Sequence, residues 1–215
     1  MDSVIELIQD GLRPLDGNGA ASTAPLGDDV LAGRTSLFVI DLEMSGPKPR
    51  EHEVLEIGGV RATITEGFPE EASWGSRVRP KHIGNADPAA LKVVGYSVKT
   101  WKTGIELEVA FGEMARLGAG AVIAGWGISG DLAFLSETSR RLGMPWPFAE
   151  VALDIQVIAR RLLKVTGRVD RMNLGHVADR LGIGRMGEHS ALADAYATYD
   201  ILVKLAGGDT SANFS

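Results

Sequence analysis

Residues 38–46 read Phe-Val-Ile-Asp-Leu-Glu-Met-Ser-Gly, an apolar run that takes on two acids two residues apart and stops before Pro47. Such a run reads as a buried strand, and alternate side chains of a strand share a face, so Asp41 and Glu43 project together. A buried charge costs several kcal/mol unless it is paired or bound to metal. Either the strand end splays into solvent, where two acids are ordinary, or the fold brings something to it that makes two adjacent carboxylates tolerable.

Further acids stand at element ends. Asp131 follows "AGWGISG", where Gly127 and Gly130 bracket a turn after a short buried strand, and it opens a helix. Asp is a favoured helix cap, yet the carboxyl end of a strand is also where open α/β sheets place ligands. In "EHSALADAYATYDIL", His189 and Asp194 lie five residues apart, roughly 140° on a regular helix. They converge if His189 lies in the loop and Ser190 caps the helix that carries Asp194, with the glycine-rich "GIGRMG" before them as a mobile approach. Four acids converging without a cation would repel one another and raise each other's pKa values. Two divalent cations about 3.5–4 Å apart would neutralise them and suit phosphodiester cleavage.

Composition narrows the cation. The chain has no cysteine, which excludes disulfides, thiolate zinc sites and a cysteine nucleophile, and its four histidines have no helical ligand spacing. Carboxylates are left as the donors, which favours Mg²⁺ or Mn²⁺. A net charge of −6 argues against a protein that coats long nucleic acid through bulk positive charge, though not against a local basic groove. There is no basic start followed by a long apolar run, and no apolar stretch of the roughly 20 residues needed to span a bilayer, so the expected location is cytoplasmic, without a membrane partner.

Strands are expected at 36–42, 53–64 and 74–80, following closely as an antiparallel meander. Helical spacing of Leu107, Phe111, Met114 and Leu117 predicts a helix over 105–117, and "AVIAGW" a strand over 121–126. The helix opened by Asp131 ends at Gly143, and "VALDIQV" holds a fifth strand. Asn173 caps a helix that stops at Gly182, and a last helix runs from Ser190 to Leu205. The fold class is α/β with a mixed sheet. Residues 1–33 read as an N-terminal arm and linker, 34–207 as the main domain and 208–215 as a flexible tail. Ser3 and Glu6 form a capping-box pattern on a short helix in the arm. The apolar face of that helix must be buried somewhere, which raises self-association as a homodimer.

The ordered motifs "FVIDLEMSG", "EVLEIGGV", "AGWGISGDLAFL", "NLGHVADRLGI" and "EHSALADAYAT" resemble the DEDDh group of 3′–5′ exonucleases, over about residues 36–205. The resemblance implies an RNase H-like fold, a five-stranded mixed sheet flanked by helices. It implies that Asp41 bridges two divalent cations, that Glu43 and Asp194 hold one of them, that Asp131 supports the other, and that His189 is the general base. It also implies hydrolysis of phosphodiester bonds at single-stranded 3′ ends or in short oligonucleotides, DNA or RNA, releasing nucleoside 5′-monophosphates. Relatives often read His-Asn-x-x-Phe-Asp before the second motif's Asp; here Trp126, Gly127 and Gly130 stand in those places. Pro47 likewise follows Ser45 and Gly46 where some relatives carry a leucine wedge.

Met44, Ser45, Trp126 and Arg185 are candidate substrate contacts, with Trp126 able to stack on a base. Arg160, Arg161, Lys164, Arg168, Arg171, Arg180 and Arg185 form a basic stretch that reads as a solvated face or as a rim for phosphates. Two rivals remain. A scaffold that kept the fold without catalysis has no physical need for the acid cluster. A serine hydrolase built on Ser190, His189 and Asp194 lacks G-x-S-x-G, and neighbours within one helical turn cannot form the relay.

Overall fold

The structure is a computed structural model of the 215-residue chain. It describes residues 2–24, 31, 33–164, 171–184 and 190–207, with the side chains of 2–5 and 164 outside that set. Helix α1 (Asp2–Gln9) and strand β1 (Leu12–Pro14) come first, followed by β2 (Ser36–Met44), β3 (Val54–Thr63) and β4 (Glu70–Arg77). Short helices α2 (Pro88–Val94) and α3 (Val98–Trp101) lead to α4 (Leu107–Gly118), β5 (Val122–Gly125), α5 (Ser129–Leu142) and β6 (Val151–Asp154). Helix α6 (Ile155–Ala159) continues into a π-helical turn (Arg160–Lys164), and α7 (Leu174–Arg180) and α8 (Ala191–Ala206) complete the described elements.

The strands form one mixed sheet in the order β1-β6-β5-β2-β3-β4. β2, β3 and β4 are antiparallel neighbours, whereas β5 runs parallel to both β2 and β6. The alternation of β2 divides the core. Leu37 and Val39 join a cluster with Ala195, Ile201 and Leu202 of α8, while Phe38, Ile40 and Leu42 join Phe111 and Met114 of α4 and Leu132 and Leu135 of α5. Asp41 and Glu43 therefore belong to the face covered by α8. Caps work locally as the residue types demand. Asn173 accepts the N–H of His176 at 2.9 Å, Asp87 caps α2, and Gly143 ends α5 at φ 62°.

The sheet is mixed, as expected, but has six strands where five were expected. The additional strand is β1, which pairs antiparallel with β6 through Leu12–Leu153 and Pro14–Val151. Within the expected arm, the segment from Ile8 to Leu15 is built into the sheet and core: Ile8 is fully buried and Leu12 and Leu15 nearly so. The apolar face that raised self-association finds part of its cover inside the chain. Ser3 lies within α1 and not before it, so it is not the helix cap that its pattern with Glu6 suggests. β4 starts and ends earlier than the expected 74–80; just past its end, Val78 donates its N–H to the Leu55 carbonyl at 2.8 Å and bridges Ile105. Residues 208–215 lie outside the described residues. Among those described, no helix is long and apolar enough to cross a membrane.

Candidate active site

Asp41 and Glu43 end β2 on the α8 face, and Asp194 comes down to meet them from the first turn of α8. One carboxylate oxygen from each of the three lies within 4.8 Å of the others. The close approach of α8 depends on glycine. A Cβ on Gly58, which pairs with Asp41 across the sheet, would lie 2.2 Å from the backbone nitrogen of Leu192. A Cβ on Gly75, next across on β4, would lie 2.8 Å from Leu192 Cβ. These two glycines make a floor on which the start of α8 rests directly.

Asp131 reaches the same site from α5, but not as the first residue of its helix. The helix begins at Ser129, and Asp131 turns its Oδ1 to accept the N–H of Leu42 at 3.1 Å. The reason lies in the sheet: the ladder between β2 and β5 ends at Val39 and Ala124, and Asp131 serves a strand N–H beyond that end. The turn between β5 and α5 is held by Gly127 at φ 62°, whose N–H goes to Asp154 Oδ1 at 3.2 Å.

The electrostatics show the strain on Asp41, Glu43 and Asp131. Burial first, and then the charges of Asp131, Glu43, Asp194 and Glu56, push Asp41 well above the ordinary carboxylate range. Burial, then Asp194, Glu56 and Asp131, push Glu43 up to about 7. Asp131 is also pushed up to about 7, by burial and by Asp154, against the lowering effect of its backbone hydrogen bonds. Such a set fits a hard divalent cation: all donors are oxygens, they converge, and Asp41, Glu43 and Asp131 are desolvated in a way that an ion would relieve.

The family model RNase_T, described as an exonuclease, matches residues 38–202, well over half of the chain. The chain belongs to the RNase T exonuclease family. Among curated relatives, a Mycobacterium tuberculosis protein whose name proposes a bifunctional exonuclease/endonuclease is 24% identical over 190 residues. That match covers 86% of this chain and 28% of the relative. A Thermotoga maritima DNA polymerase III of the PolC type is 23% identical over 182 residues, covering 83% of this chain and 12% of the polymerase. This RNase T-family chain therefore spans less than a third of either relative. Among solved structures, E. coli exonuclease I with a dT13 oligonucleotide superposes with a TM-score of 0.67 at 20% identity, covering 80% of this chain and 41% of the other. The nuclease domain of 3'hExo, a DEDDh family member bound to rAMP, gives 0.63 at 18% identity, with 85% and 96% covered. These likenesses show the fold.

The other expected site residues are not all together. His189 and Arg185 lie outside the described residues. Ser190 stands at the start of α8, but its side chain makes no capping bond. Met44 packs with the α4 and α5 cluster on the opposite face from Glu43. Ser45 is buried, its hydroxyl accepting the N–H of Glu53 at 2.8 Å and its carbonyl that of Asp87 at 2.8 Å. Trp126 is half-buried against the α8-side core, and its indole N–H is enclosed without a partner among the described residues. Of the basic stretch, Arg161 pairs with Asp10. Two acids that sequence reasoning missed stand beside the site: Asp154, which holds Gly127, and Glu56, which lies opposite Glu43. Both interrupt or end apolar runs, the same signal that singled out Asp41.

Proposed function

We propose that the chain is a metal-dependent 3′–5′ exonuclease that acts on single-stranded DNA or RNA ends or short oligonucleotides, in the cytoplasm, and releases nucleoside 5′-monophosphates. The observation that carries this reading is the convergence of the Asp41, Glu43 and Asp194 carboxylates within 4.8 Å, with Asp131 on Leu42 beside them. The oligonucleotide bound to exonuclease I and the mononucleotide bound to 3'hExo support the substrate and product classes.

Asp41 would contact two cations, Mg²⁺ or Mn²⁺, with Glu43 and Asp194 on one and Asp131 supporting the other. When bound, the cations would acidify the attacking water and offset charge on the leaving oxygen. His189 takes the proton from that water, for which an imidazole with an ordinary pKa near 6.5 is suited. As water oxygen joins phosphorus, the bond from phosphorus to the 3′ oxygen of the preceding nucleotide breaks, and the terminal nucleotide leaves as its 5′-monophosphate.

The test is digestion of 5′-labelled single-stranded DNA and RNA, including very short RNAs, with Mn²⁺ or with EDTA. Stepwise shortening from the 3′ end that needs metal is expected, and no cleavage by the folded chain in any condition would refute the reading. With Mg²⁺ saturating, so that the acids stay ionised, the rate should rise from about pH 6 to about pH 8 through the His189 imidazole. His189→Ala should lose that limb; an unchanged profile would remove His189 as the base.

A further inference from the structure

Across the sheet, on the face that carries the acids, two rows run from β2 to β4. Asp41 pairs with Gly58 and Gly58 with Gly75; Glu43 pairs with Glu56 and Glu56 with Arg77. Directly opposed acids repel, so Glu56 needs a reason to stand beside Glu43. Glu56 is 6% exposed, and both of its oxygens are engaged. Oε1 accepts from Arg77 Nε at 2.8 Å, and Oε2 accepts the backbone N–H of Ala191, the first residue of α8, at 3.2 Å.

That second bond is unusual in its source. Ser190, at the helix start, supplies no capping oxygen, and the acceptor comes instead from a strand 135 residues earlier in the chain. Asp194 stands in the same first turn, its N–H bonded to the Ser190 carbonyl at 2.9 Å. Fixing Ala191 therefore fixes where the Asp194 carboxylate projects. Arg77 is itself held, its guanidinium 5.1 Å from the centroid of the Trp101 ring, whose N–H is anchored on the Leu55 carbonyl.

We propose that Glu56 and Arg77 are a positioning pair that locks the start of α8 against the sheet and so sets the Asp194 carboxylate at the metal centre. The proposal rests on the functional reading above. A carboxylate is required for both contacts. A carboxamide has one oxygen, so whichever donor it serves, its NH₂ faces the other donor. Aspartate keeps the charge but is one methylene too short to span Arg77 and Ala191.

Calorimetric titration of the full chain with Mn²⁺, well below its melting temperature, tests this. Glu56→Gln, Glu56→Asp and Arg77→Met should each weaken Mn²⁺ binding by about tenfold, the scale seen when groups that orient metal ligands are removed. Arg77→Lys, which keeps the charge pair, should recover part of the loss. If charge alone mattered, Glu56→Asp would bind as the unsubstituted chain does and Arg77→Met would bind more tightly; either result overturns the proposal. Lowered melting temperatures with unchanged Mn²⁺ affinity would also overturn it, because they describe stability without positioning. Absence of Mn²⁺ binding that depends on Asp41 would sink the functional reading and this proposal together. Asp41-dependent binding retained in all the variants would sink the proposal alone.

Discussion

Asp41, Glu43 and Asp131 are held where protonation is favoured, and this has a consequence for stability. In an unfolded chain such carboxyls titrate near 4, whereas Glu43 and Asp131 titrate at about 7 in the fold and Asp41 is raised well above its ordinary value. Between those values the folded chain keeps protons that the unfolded chain has released, so metal-free stability falls as pH rises toward about 7. Glu137, drawn down to about 2 chiefly by Arg140, acts in the opposite sense, but only below about pH 4.5. In EDTA, Tm should therefore fall between about pH 5 and about pH 8, more shallowly in Asp41→Asn. Mn²⁺ should raise Tm more at the alkaline end, where the carboxylates are free to bind it. A metal-free Tm that rises across this range, with a metal effect independent of pH, would show that the acids are not strained in the way described.

Helix α8 and the glycine floor beneath it join the acids into one site, and a substitution there separates packing from chemistry. A Cβ at Gly58 would meet backbone atoms of Ala191 and Leu192 at 2.3 and 2.2 Å, so α8 must move to admit it. Gly58→Ala is predicted to lower nuclease turnover by about 100-fold, the scale expected of a displacement near 1 Å, and to lower Tm. Gly112, in α4, has no neighbour within 4 Å of its Cβ position, and Gly112→Ala should leave turnover intact with stability equal or slightly higher. Full activity in Gly58→Ala would mean that α8 does not set the site. The element carrying the first acids was legible in the sequence because the alternation of Leu37 to Glu43 is local, as are the caps and stripe of α7. β1 was not legible: three residues ending in Pro14 are too few to show alternation, and only β6 makes them a strand. Helices α2 and α3, of seven and four residues, are too short to show a period. Glu56 and Asp154 carried a visible signal, but its meaning was hidden because their backbone partners lie 135 and 27 residues away. A glycine in a strand announces close approach; it does not say that a helix bearing Asp194 is what approaches.

At the scale of the molecule, the N-terminal segment ties both layers of the core to the site. Ile8 and Leu12 enter the α8-side cluster and Leu15 the α4–α5 cluster, while the Gly11 carbonyl accepts the N–H of Asp154, the residue that holds the Gly127 turn. Removing residues 1–15 would expose the edge of β6 and forfeit three buried apolar side chains, each worth roughly 1.5–3 kcal/mol as an upper estimate. The truncated chain should melt well below the full chain; an equal Tm would show the segment to be an appendage. Under the proposed function, an apolar strand can end in Asp41 and Glu43 because a divalent cation would replace the solvation they lose. The most direct measurement is anomalous diffraction from crystals soaked in Mn²⁺. Anomalous density is expected enclosed by the Asp41, Glu43 and Asp194 carboxylates, with further density on the Asp131 side of Asp41 if a second ion binds, and none there in Asp41→Asn. Saturating Mn²⁺ with no density among these carboxylates would contradict the proposed function.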